Sequence, residues 1–347
     1  MIILGIESSC DETGVAIVKN GTELLANKVA SSMVVHSEYG GVVPEIAARA
    51  QLEYIIPLIS EVVDEFSHEN LAGWDAVDGI AVTYGAGLSG SLLIGTLTAR
   101  TLAIIKNKPL YAVNHVEGHV YANFLNKQKP EFPLLALIVS GGHTQLVIFH
   151  SHFNYIVLGQ TVDDAIGEAF DKVAKIVGLP YPGGPSVSLA AEQGDDSKYI
   201  FPKPKLMGKY DFSYSGLKTA VLRKAQAETG GNHQLSSTLL PGLLNQTQKN
   251  DIAASFEKTA IDIVVDKTTE AFKEFNPKTV VIAGGVAANK RLRSVLRSKL
   301  PIEIDYAPAY LCTDNGAMIA TLGSYKAMLN TEPSDPKTLS IEPNLKM

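Results

Sequence analysis

Cysteine is scarce in this chain: only Cys10 and Cys312 occur among its 347 residues. Two cysteines that far apart form neither a disulfide framework nor a C-x-x-C pair, which favours a reducing compartment. Long apolar runs are also missing, since none approaches the roughly 18 residues of a membrane span. The N-terminal "MIILGI" is too short for a signal sequence and has no basic flank. We therefore expect a cytoplasmic protein with no membrane segment.

An excess of positive charge is missing too. The formal net charge is −6, which argues against a free-standing nucleic-acid binder, because such proteins usually carry a basic surface. One local basic stretch exists, "NKRLRSVLRSK" at 289–299. On a helix, Lys290, Arg293 and Arg297 would share one face. This stretch is either a solvated helix face or a contact surface for a polyanion.

The chain does have enough apolar sequence for a large core, with 46% hydrophobic and 19% charged residues. Its length predicts two domains or lobes. Apolar β-branched runs alternate with longer amphipathic stretches, a pattern typical of α/β architecture. Residues 2–21 and 134–159 share one design, a strand, a polar turn and a second strand, followed in each case by helical patterns. This repeat predicts two similar lobes around a central cleft, an N-terminal lobe at 1–130 and a C-terminal lobe at 131–330. A tail is expected at 331–347.

Glycine-rich turns provide candidate anion sites, because backbone N–H groups in Gly/Ser turns can surround a phosphate. In "VSGGHT" (139–144), Gly141 and Gly142 allow close backbone approach. In "VVIAGGVAANKRLRSVL" (280–296), a strand leads through Gly284 and Gly285 into a helix, a common nucleotide contact. The side chain of Asn289 there suits a base or a ribose. An ordinary hairpin remains the alternative for the first turn.

A third glycine pattern, "GAGLSG" at 85–90, fits the dinucleotide-binding motif. That motif requires an acidic residue at the end of the next strand to bind the ribose hydroxyls. The next strand, "PLYAVNH", ends instead in Asn114 and His115. We therefore expect these glycines to let a helix begin close beside another backbone.

The segment "NHVEGHV" (114–120) contains two histidines, His115 and His119, at i and i+4. On a helix they share one face and can bind one metal ion. A zinc peptidase would place its catalytic glutamate next to the first histidine. Here Glu117 is at i+2, about 200° around a helix of 3.6 residues per turn, so it points away from the metal face.

A third metal ligand is still required, and "CTDNGAMIA" (312–320) offers Asp314 and Asn315 just before a helical pattern. The alternative is a plain helix cap, which both residue types favour. Two histidines and one carboxylate would leave coordination positions open for a substrate oxygen.

In combination these motifs are recognisable. In chain order they are "GIESSCDET", "VVPEIAAR", "NHVEGH", "LIVSGGHTQL", "DDAIGEAFDK", "GLPYPGGP", "FSYSGLKT", "AGGVAANKRLR" and "CTDNGAM". Across residues 3–325 the chain resembles the bacterial TsaD family, the tRNA N6-adenosine threonylcarbamoyltransferases. The resemblance implies the two-lobed α/β fold of actin, the sugar kinases and the heat-shock chaperone ATPases. Gln51 departs from the family pattern, where many members have histidine.

The resemblance also implies roles for individual residues. His115, His119 and Asp314 would bind one divalent ion, with Fe²⁺ favoured and Zn²⁺ possible. Asp11 and Glu12 fall on acidic positions near the family's active site and are candidate proton acceptors. The residues expected to contact the nucleotide part of threonylcarbamoyl-AMP are Ile138, Val139, Ser140, Gly141, Gly142, Asp171, Gly184, Gly285 and Asn289.

The implied reaction transfers the threonylcarbamoyl group from its adenylate to N6 of adenosine-37 in tRNAs that read codons beginning with A. An inactive paralogue of the same fold (TsaB-like) and a small ATPase (TsaE-like) are the implied partners, besides tRNA. The other function classes are a metallopeptidase, a small-molecule kinase or ATPase on the same fold, and a non-catalytic scaffold. A kinase would hold Mg²⁺ with carboxylates and would not need two histidines on one helix.

Overall fold

The computed structural model describes residues 1–70, 73–126, 128–231 and 235–347. The chain forms two compact units: unit 1 contains Met1–Pro130 and Ala307–Met347, and unit 2 contains Glu131–Tyr306. The sequence pattern places 131–330 in one C-terminal lobe, with a tail at 331–347. The structure differs there, because the chain returns to unit 1 at Ala307.

Unit 1 contains a five-stranded mixed sheet with the order β3-β2-β1-β4-β5. Its strands are β1 (Ile2–Glu7), β2 (Glu12–Lys19), β3 (Glu23–Ser31), β4 (Gly79–Gly85) and β5 (Leu110–Asn114). Its helices are α1 (Met33–Tyr39), α2 (Pro44–Asn70), α3 (Ser89–Lys106), α4 (His115–Tyr121), α11 (Ala309–Cys312) and α12 (Gly316–Met328). Short 3₁₀ turns occupy Gly73–Ala76 and Ala122–Leu125.

Helix α12 explains why the end of the chain packs in unit 1. It lies so close to the sheet that a Cβ on Gly5 would be 2.3 Å from the Gly316 carbonyl oxygen. A Cβ on Gly323 would be 2.4 Å from Cβ of Ala81. Because these small residues are far apart in sequence, no local pattern predicts that they meet. Helices α2 and α3 pack with Leu4, Ile6 and other core residues of the sheet.

Unit 2 also contains a five-stranded sheet, with the order β10-β9-β6-β7-β8. Its strands are β6 (Leu134–Val139), β7 (Thr144–Ser151), β8 (Asn154–Gln160), β9 (Thr279–Ala283) and β10 (Ile304–Tyr306). Its helices are α5 (Ile166–Val177), α6 (Gly183–Ala191), α7 (Ser215–Glu228), α8 (Leu240–Leu243), α9 (Gln246–Phe275) and α10 (Lys290–Lys299). A 3₁₀ turn occupies Gly285–Ala288.

The two sheets have the same topology. Read from the other edge, the second order is β8-β7-β6-β9-β10, which matches β3-β2-β1-β4-β5 strand for strand. In each sheet the first two strands form an antiparallel hairpin, and the first strand pairs in parallel with the fourth. The predicted α/β fold with duplicated lobes, of the actin and sugar-kinase type, is therefore confirmed.

The "GAGLSG" stretch is the junction between β4 and α3. A Cβ on Gly87 would be 2.5 Å from the carbonyl oxygen of Ser9, and the N–H of Leu88 donates to that same oxygen at 2.7 Å. The prediction that a helix begins here beside another backbone is thus confirmed. The sequence 227–250, "AETGGNHQLSSTLLPGLLNQTQKN", is a polar stretch between helical patterns, and its residues 232–234 lie outside the described residues. Among the helices that the structure describes, none is both long and apolar enough to cross a membrane.

Candidate functional site

Helix α4 begins directly after β5, and its cap fixes the positions of the two histidines. Asn114 Oδ1 accepts hydrogen bonds from the N–H groups of Val116 (2.8 Å) and Glu117 (3.3 Å). His115 is therefore the first helical residue, and His119 follows one turn later on the same face. Both side chains are buried, and their ring centroids are 4.7 Å apart.

Asp314 approaches these histidines from the start of α12. The helix cap is Asn315, whose Oδ1 accepts from the N–H of Met318 at 3.0 Å, so Asp314 is not the cap. Asp314 Oδ1 lies 3.6 Å from Nε2 of His115 and 3.3 Å from Nε2 of His119. One ligand atom from each of the three residues lies within 4.8 Å of the others. Of these two residues, Asp314 is the one whose side chain lies beside the histidines.

The group fits a metal ion in two respects. Nitrogen and oxygen ligands bound at about 2.1 Å in tetrahedral geometry lie about 3.4 Å apart, and the distances from Asp314 to the two imidazoles are 3.3 and 3.6 Å. His119 is also buried with neither ring nitrogen hydrogen-bonded, an arrangement that costs free energy unless another partner is bound. The three side chains are thus compatible with a single bound metal ion.

Glu117 is not part of this group. Its side chain is buried, and burial raises the pKa of its carboxyl to about 7, while Lys326 acts in the opposite direction. Lys326 belongs to α12 and donates to the carbonyl oxygen of Ala112. Glu117 therefore does not lie among the three candidate ligands, and the arrangement of a zinc peptidase is absent from α4.

The acidic segment after β1 borders the histidines. Burial first, and then Asp314 and Asp11, raise the pKa of Glu12 to about 10. Carboxylates this close to one another disfavour the charged form of each. Gln51 holds the segment in place, because its Nε2 donates to the carbonyl oxygens of Cys10 (2.8 Å) and Ser8 (3.3 Å). The residue that departs from the family pattern therefore positions this loop.

One contact of His115 was not anticipated from the sequence. Its Nδ1 lies 3.3 Å from Oε2 of Glu7 and 3.0 Å from Oγ of Ser9. Glu7 is the last residue of β1 and has no exposed surface. The sequence hints at this contact only by the position of Glu7, a charged residue that ends an otherwise apolar strand.

In unit 2, the glycine turns meet at the carboxyl ends of two parallel strands. The turn after β6 is closed by a hydrogen bond from the N–H of Ser140 to the carbonyl oxygen of His143 at 2.8 Å. After β9, Gly284 has a φ of +90°, and a Cβ there would be 2.5 Å from the carbonyl oxygen of Val139. The two turns are therefore neighbours, as expected for ends of paired parallel strands.

Four of the predicted nucleotide contacts are glycines, and the surrounding protein does not explain why glycine occupies these positions. A Cβ added to Gly141, Gly142, Gly184 or Gly285 would meet nothing within 4 Å, and none of the four has a positive φ. Neither backbone conformation nor packing therefore requires glycine at these positions. What glycine provides here is open access to the main-chain N–H groups, the property that an anion-binding turn needs.

The other predicted contacts have internal roles. The side chains of Ile138 and Val139 are fully buried, so these residues offer a ligand only their main chain. Asp171 Oδ1 accepts from the N–H of Gly183 at 2.6 Å and connects α5 to the start of α6.

Asn289 is the N-cap of α10, where its Oδ1 accepts from the N–H of Leu292 at 2.8 Å. Its Nδ2 donates to Glu257 Oε1 (2.8 Å) and Ser188 Oγ (3.1 Å). Both amide hydrogens of Asn289 are therefore used within unit 2, by Glu257 and Ser188, and the sequence gave no indication of either contact.

The basic stretch forms α10, but its charges are largely satisfied within unit 2. Arg291 pairs with Asp196 at 2.7 Å, and Lys290 with Glu192 at 3.2 Å. The guanidinium of Arg293 lies 3.8 Å from the ring centroid of Tyr306, and Arg297 donates to the hydroxyl of the same tyrosine.

The chain is similar to known proteins over most of its length. Residues 23–321 match the family described as tRNA N6-adenosine threonylcarbamoyltransferase. Relatives of that name occur in Thermomicrobium roseum, 45% identical over 94% of this chain and 92% of the relative, and in Symbiobacterium thermophilum, 48% identical over 93% and 91%. Full-length HypF in its phosphate- and nucleotide-bound form has a similar fold, with a TM-score of 0.58 and 13% identity over 96% of this chain and 47% of HypF.

Proposed function

The chain belongs to the tRNA N6-adenosine threonylcarbamoyltransferase family, and on this basis we propose that it transfers the threonylcarbamoyl group from threonylcarbamoyl-AMP to N6 of adenosine-37 in tRNAs that read codons beginning with A. The observation that carries the proposal is the group of His115, His119 and Asp314. That group distinguishes this chain from a kinase, which would hold its metal with carboxylates, and Glu117 is unsuited to peptidase chemistry.

The chemistry requires positioning more than a strong catalytic base. The donor is a mixed carbamic–phosphoric anhydride with AMP as a good leaving group, so no covalent enzyme intermediate is needed. The exocyclic amine of adenine is a weak nucleophile. Rate enhancement therefore depends on holding both substrates in reactive geometry and on stabilising the charge that develops on the phosphate.

His115, His119 and Asp314 would hold one divalent ion, with Fe²⁺ favoured over Zn²⁺. When bound, the ion supplies Lewis-acid stabilisation of negative charge rather than a hydroxide nucleophile. The main-chain N–H groups at Gly141, Gly142 and Gly285 bind the phosphate of the donor. Asp171 accepts hydrogen bonds from the ribose while keeping Gly183 in place. Asp11 or Glu12, on the segment that Gln51 holds, accepts the proton released from N6; Glu12 can do so only when a bound cation lowers its pKa from about 10.

The partners follow from the reaction and from the surface of unit 1. The acceptor is tRNA, and we therefore infer a cytoplasmic location. A TsaB-like paralogue binds the apolar surface of α1–α3, and a TsaE-like ATPase assists turnover. Support for the first partner comes from the exposed apolar side chains of these helices: Val34, Val35, Tyr39, Leu52, Ile56, Leu93, Leu97, Ile104 and Ile105.

The direct test is a transfer assay with synthetic threonylcarbamoyl-AMP and unmodified tRNA, with and without the two partner proteins. Formation of the modified adenosine, lost in His115→Ala, is the expected result. Release of phosphate from ATP that survives His115→Ala would indicate a kinase or ATPase instead. Proteolysis that is lost in Glu117→Ala would indicate a peptidase. Nucleotide binding without modification under any partner combination would indicate a scaffold.

A further inference from the structure

Glu7 lies next to His115 of the candidate metal centre, and both of its carboxylate oxygens accept hydrogen bonds. Oε1 accepts from the N–H of Ser9 at 2.6 Å, and Oε2 accepts from Oγ1 of Thr83 at 2.5 Å. The same Oε2 is 3.3 Å from Nδ1 of His115. The carboxylate has no exposed surface. A buried carboxylate costs free energy unless it is hydrogen-bonded, and these contacts fix its orientation towards the imidazole.

The contact with Glu7 determines which ring nitrogen of His115 carries hydrogen. Oγ of Ser9 lies 3.0 Å from Nδ1 and could donate or accept there. If it donated, the Nδ1 lone pair would face the carboxylate of Glu7, and two acceptors would repel each other. Nδ1–H is therefore the favourable arrangement, and the lone pair is then on Nε2. Nε2 is the atom that faces Asp314, at 3.6 Å.

His119 has no equivalent support. Its Nδ1 has no hydrogen-bond partner, so no neighbouring group holds a proton on that nitrogen. The two imidazoles of the centre thus differ in one respect: a carboxylate faces Nδ1 of His115, and none faces Nδ1 of His119. Carboxylate–histidine–metal chains of this kind orient a ligand and raise its basicity.

We propose that Glu7 is a positioning residue that holds His115 in the Nδ1–H tautomer and directs its Nε2 to the metal. The inference rests on the proposed metal role of His115, His119 and Asp314. Glu7 itself does not bind the ion. Its contribution is to keep the proton on Nδ1, so that Nε2 is the ring nitrogen of His115 that coordinates the ion.

The test compares zinc affinity by chelator competition in the wild type and in Glu7→Gln. An amide provides one acceptor and two donors, whereas the three groups around Glu7 all donate, so Gln cannot satisfy them. Zinc affinity should fall about 10- to 100-fold, the usual effect of losing such a partner. The matched control is Glu117→Gln, which changes another buried carboxylate on unit 1 that faces Lys326 rather than the centre. It should lower the melting temperature without changing zinc affinity.

Two further measurements keep the outcomes distinct. If Glu7→Gln does not fold, Thr83→Val keeps the carboxylate but removes one of its anchors, and should weaken zinc binding several-fold. In the zinc-loaded wild type, ¹⁵N-histidine NMR should show a protonated Nδ1 on His115. A wild type that binds no zinc would remove the proposed metal site itself. If the wild type binds zinc tightly and Glu7→Gln or Thr83→Val binds it equally well, the positioning role of Glu7 is overturned. The metal site itself would stand.

Discussion

Gly284 and Gly285 are neighbours in the chain, but a side chain would meet very different surroundings at the two positions. At Gly284, a φ of +90° and the carbonyl oxygen of Val139 at 2.5 Å both exclude a Cβ. At Gly285, as at Gly141, a Cβ would meet nothing within 4 Å. The first glycine is required by the fold, whereas the other two leave space that a ligand can use.

Alanine substitutions can separate these two kinds of glycine. Gly141→Ala and Gly285→Ala should keep or slightly raise the melting temperature, because alanine restricts the unfolded chain, worth about 0.4–1 kcal/mol at compatible positions. Both should weaken binding of AMP, measured by calorimetry. Gly284→Ala is the matched control and should lower the melting temperature clearly. If Gly141→Ala and Gly285→Ala bind AMP like the wild type, the open glycines do not contact the nucleotide.

The metal ligands allow a second test at the same scale. His115→Ala and His119→Ala should each lose the transition metal of the purified protein, measured by elemental analysis. Asp314→Asn should lose less, because its amide oxygen can still coordinate. His150→Ala removes an exposed histidine of β7 and should keep a full complement. Retention of metal by the double variant of His115 and His119 would end the assignment.

At the scale of elements, the spacing of charges in α10 predicted which arginines share a face. It did not predict the contacts that these arginines make. Residues Lys290–Lys299 form a helix with Arg293 and Arg297 on one face, as the spacing predicts. Both side chains contact Tyr306 of β10. Each cation–π contact at such a site contributes about 0.5–1 kcal/mol. These arginines therefore hold α10 on the sheet, in addition to any contact with tRNA.

The double variant Arg293→Ala/Arg297→Ala should lower the melting temperature and also weaken tRNA binding. Each lost phosphate contact in a duplex region should reduce the salt slope by about 0.9. Tyr306→Leu is the control, since it removes the stacking but keeps both charges. Equal tRNA binding by the double variant and by Tyr306→Leu, at equal stability loss, would leave the arginines a structural role only.

At the scale of the whole molecule, unit 1 exposes an unusual number of large apolar side chains on neighbouring helices. Leu52 and Ile56 of α2 are 61% and 59% exposed, and Leu93 and Leu97 of α3 are 45% and 44% exposed. Each pair is spaced i and i+4, so each forms a stripe along its helix. We propose that these aligned apolar side chains form part of a surface that binds another protein.

Leu52→Ser with Ile56→Ser should abolish stable association with the TsaB-like paralogue, measured by size-exclusion chromatography with light scattering. Metal content and melting temperature should change little, because exposed side chains seldom affect stability by more than about 0.5 kcal/mol. Ile200→Ser with Met207→Ser, two fully exposed apolar residues of unit 2, is the control and should leave association intact. If the first variant still associates, the paralogue binds elsewhere.

The sequence by itself determined the features that depend on local periodicity. Alternating apolar runs predicted the hairpin of β1 and β2 and that of β6 and β7, and their repetition predicted two similar lobes. The i, i+4 spacing placed His115 and His119 on one face, because helical geometry depends only on position along the chain. The family motifs supplied the expected third ligand, Asp314.

Only the tertiary structure decided which distant residues meet. It returned residues 307–347 to unit 1, because Gly5, Gly316 and Gly323 permit a helix to lie close against β1 and β4. It placed the carboxylate of Glu7 beside His115 and formed the hydrogen bond between Asn289 and Glu257. Contacts of this kind depend on packing between elements far apart in the chain, and local sequence carries no record of such packing.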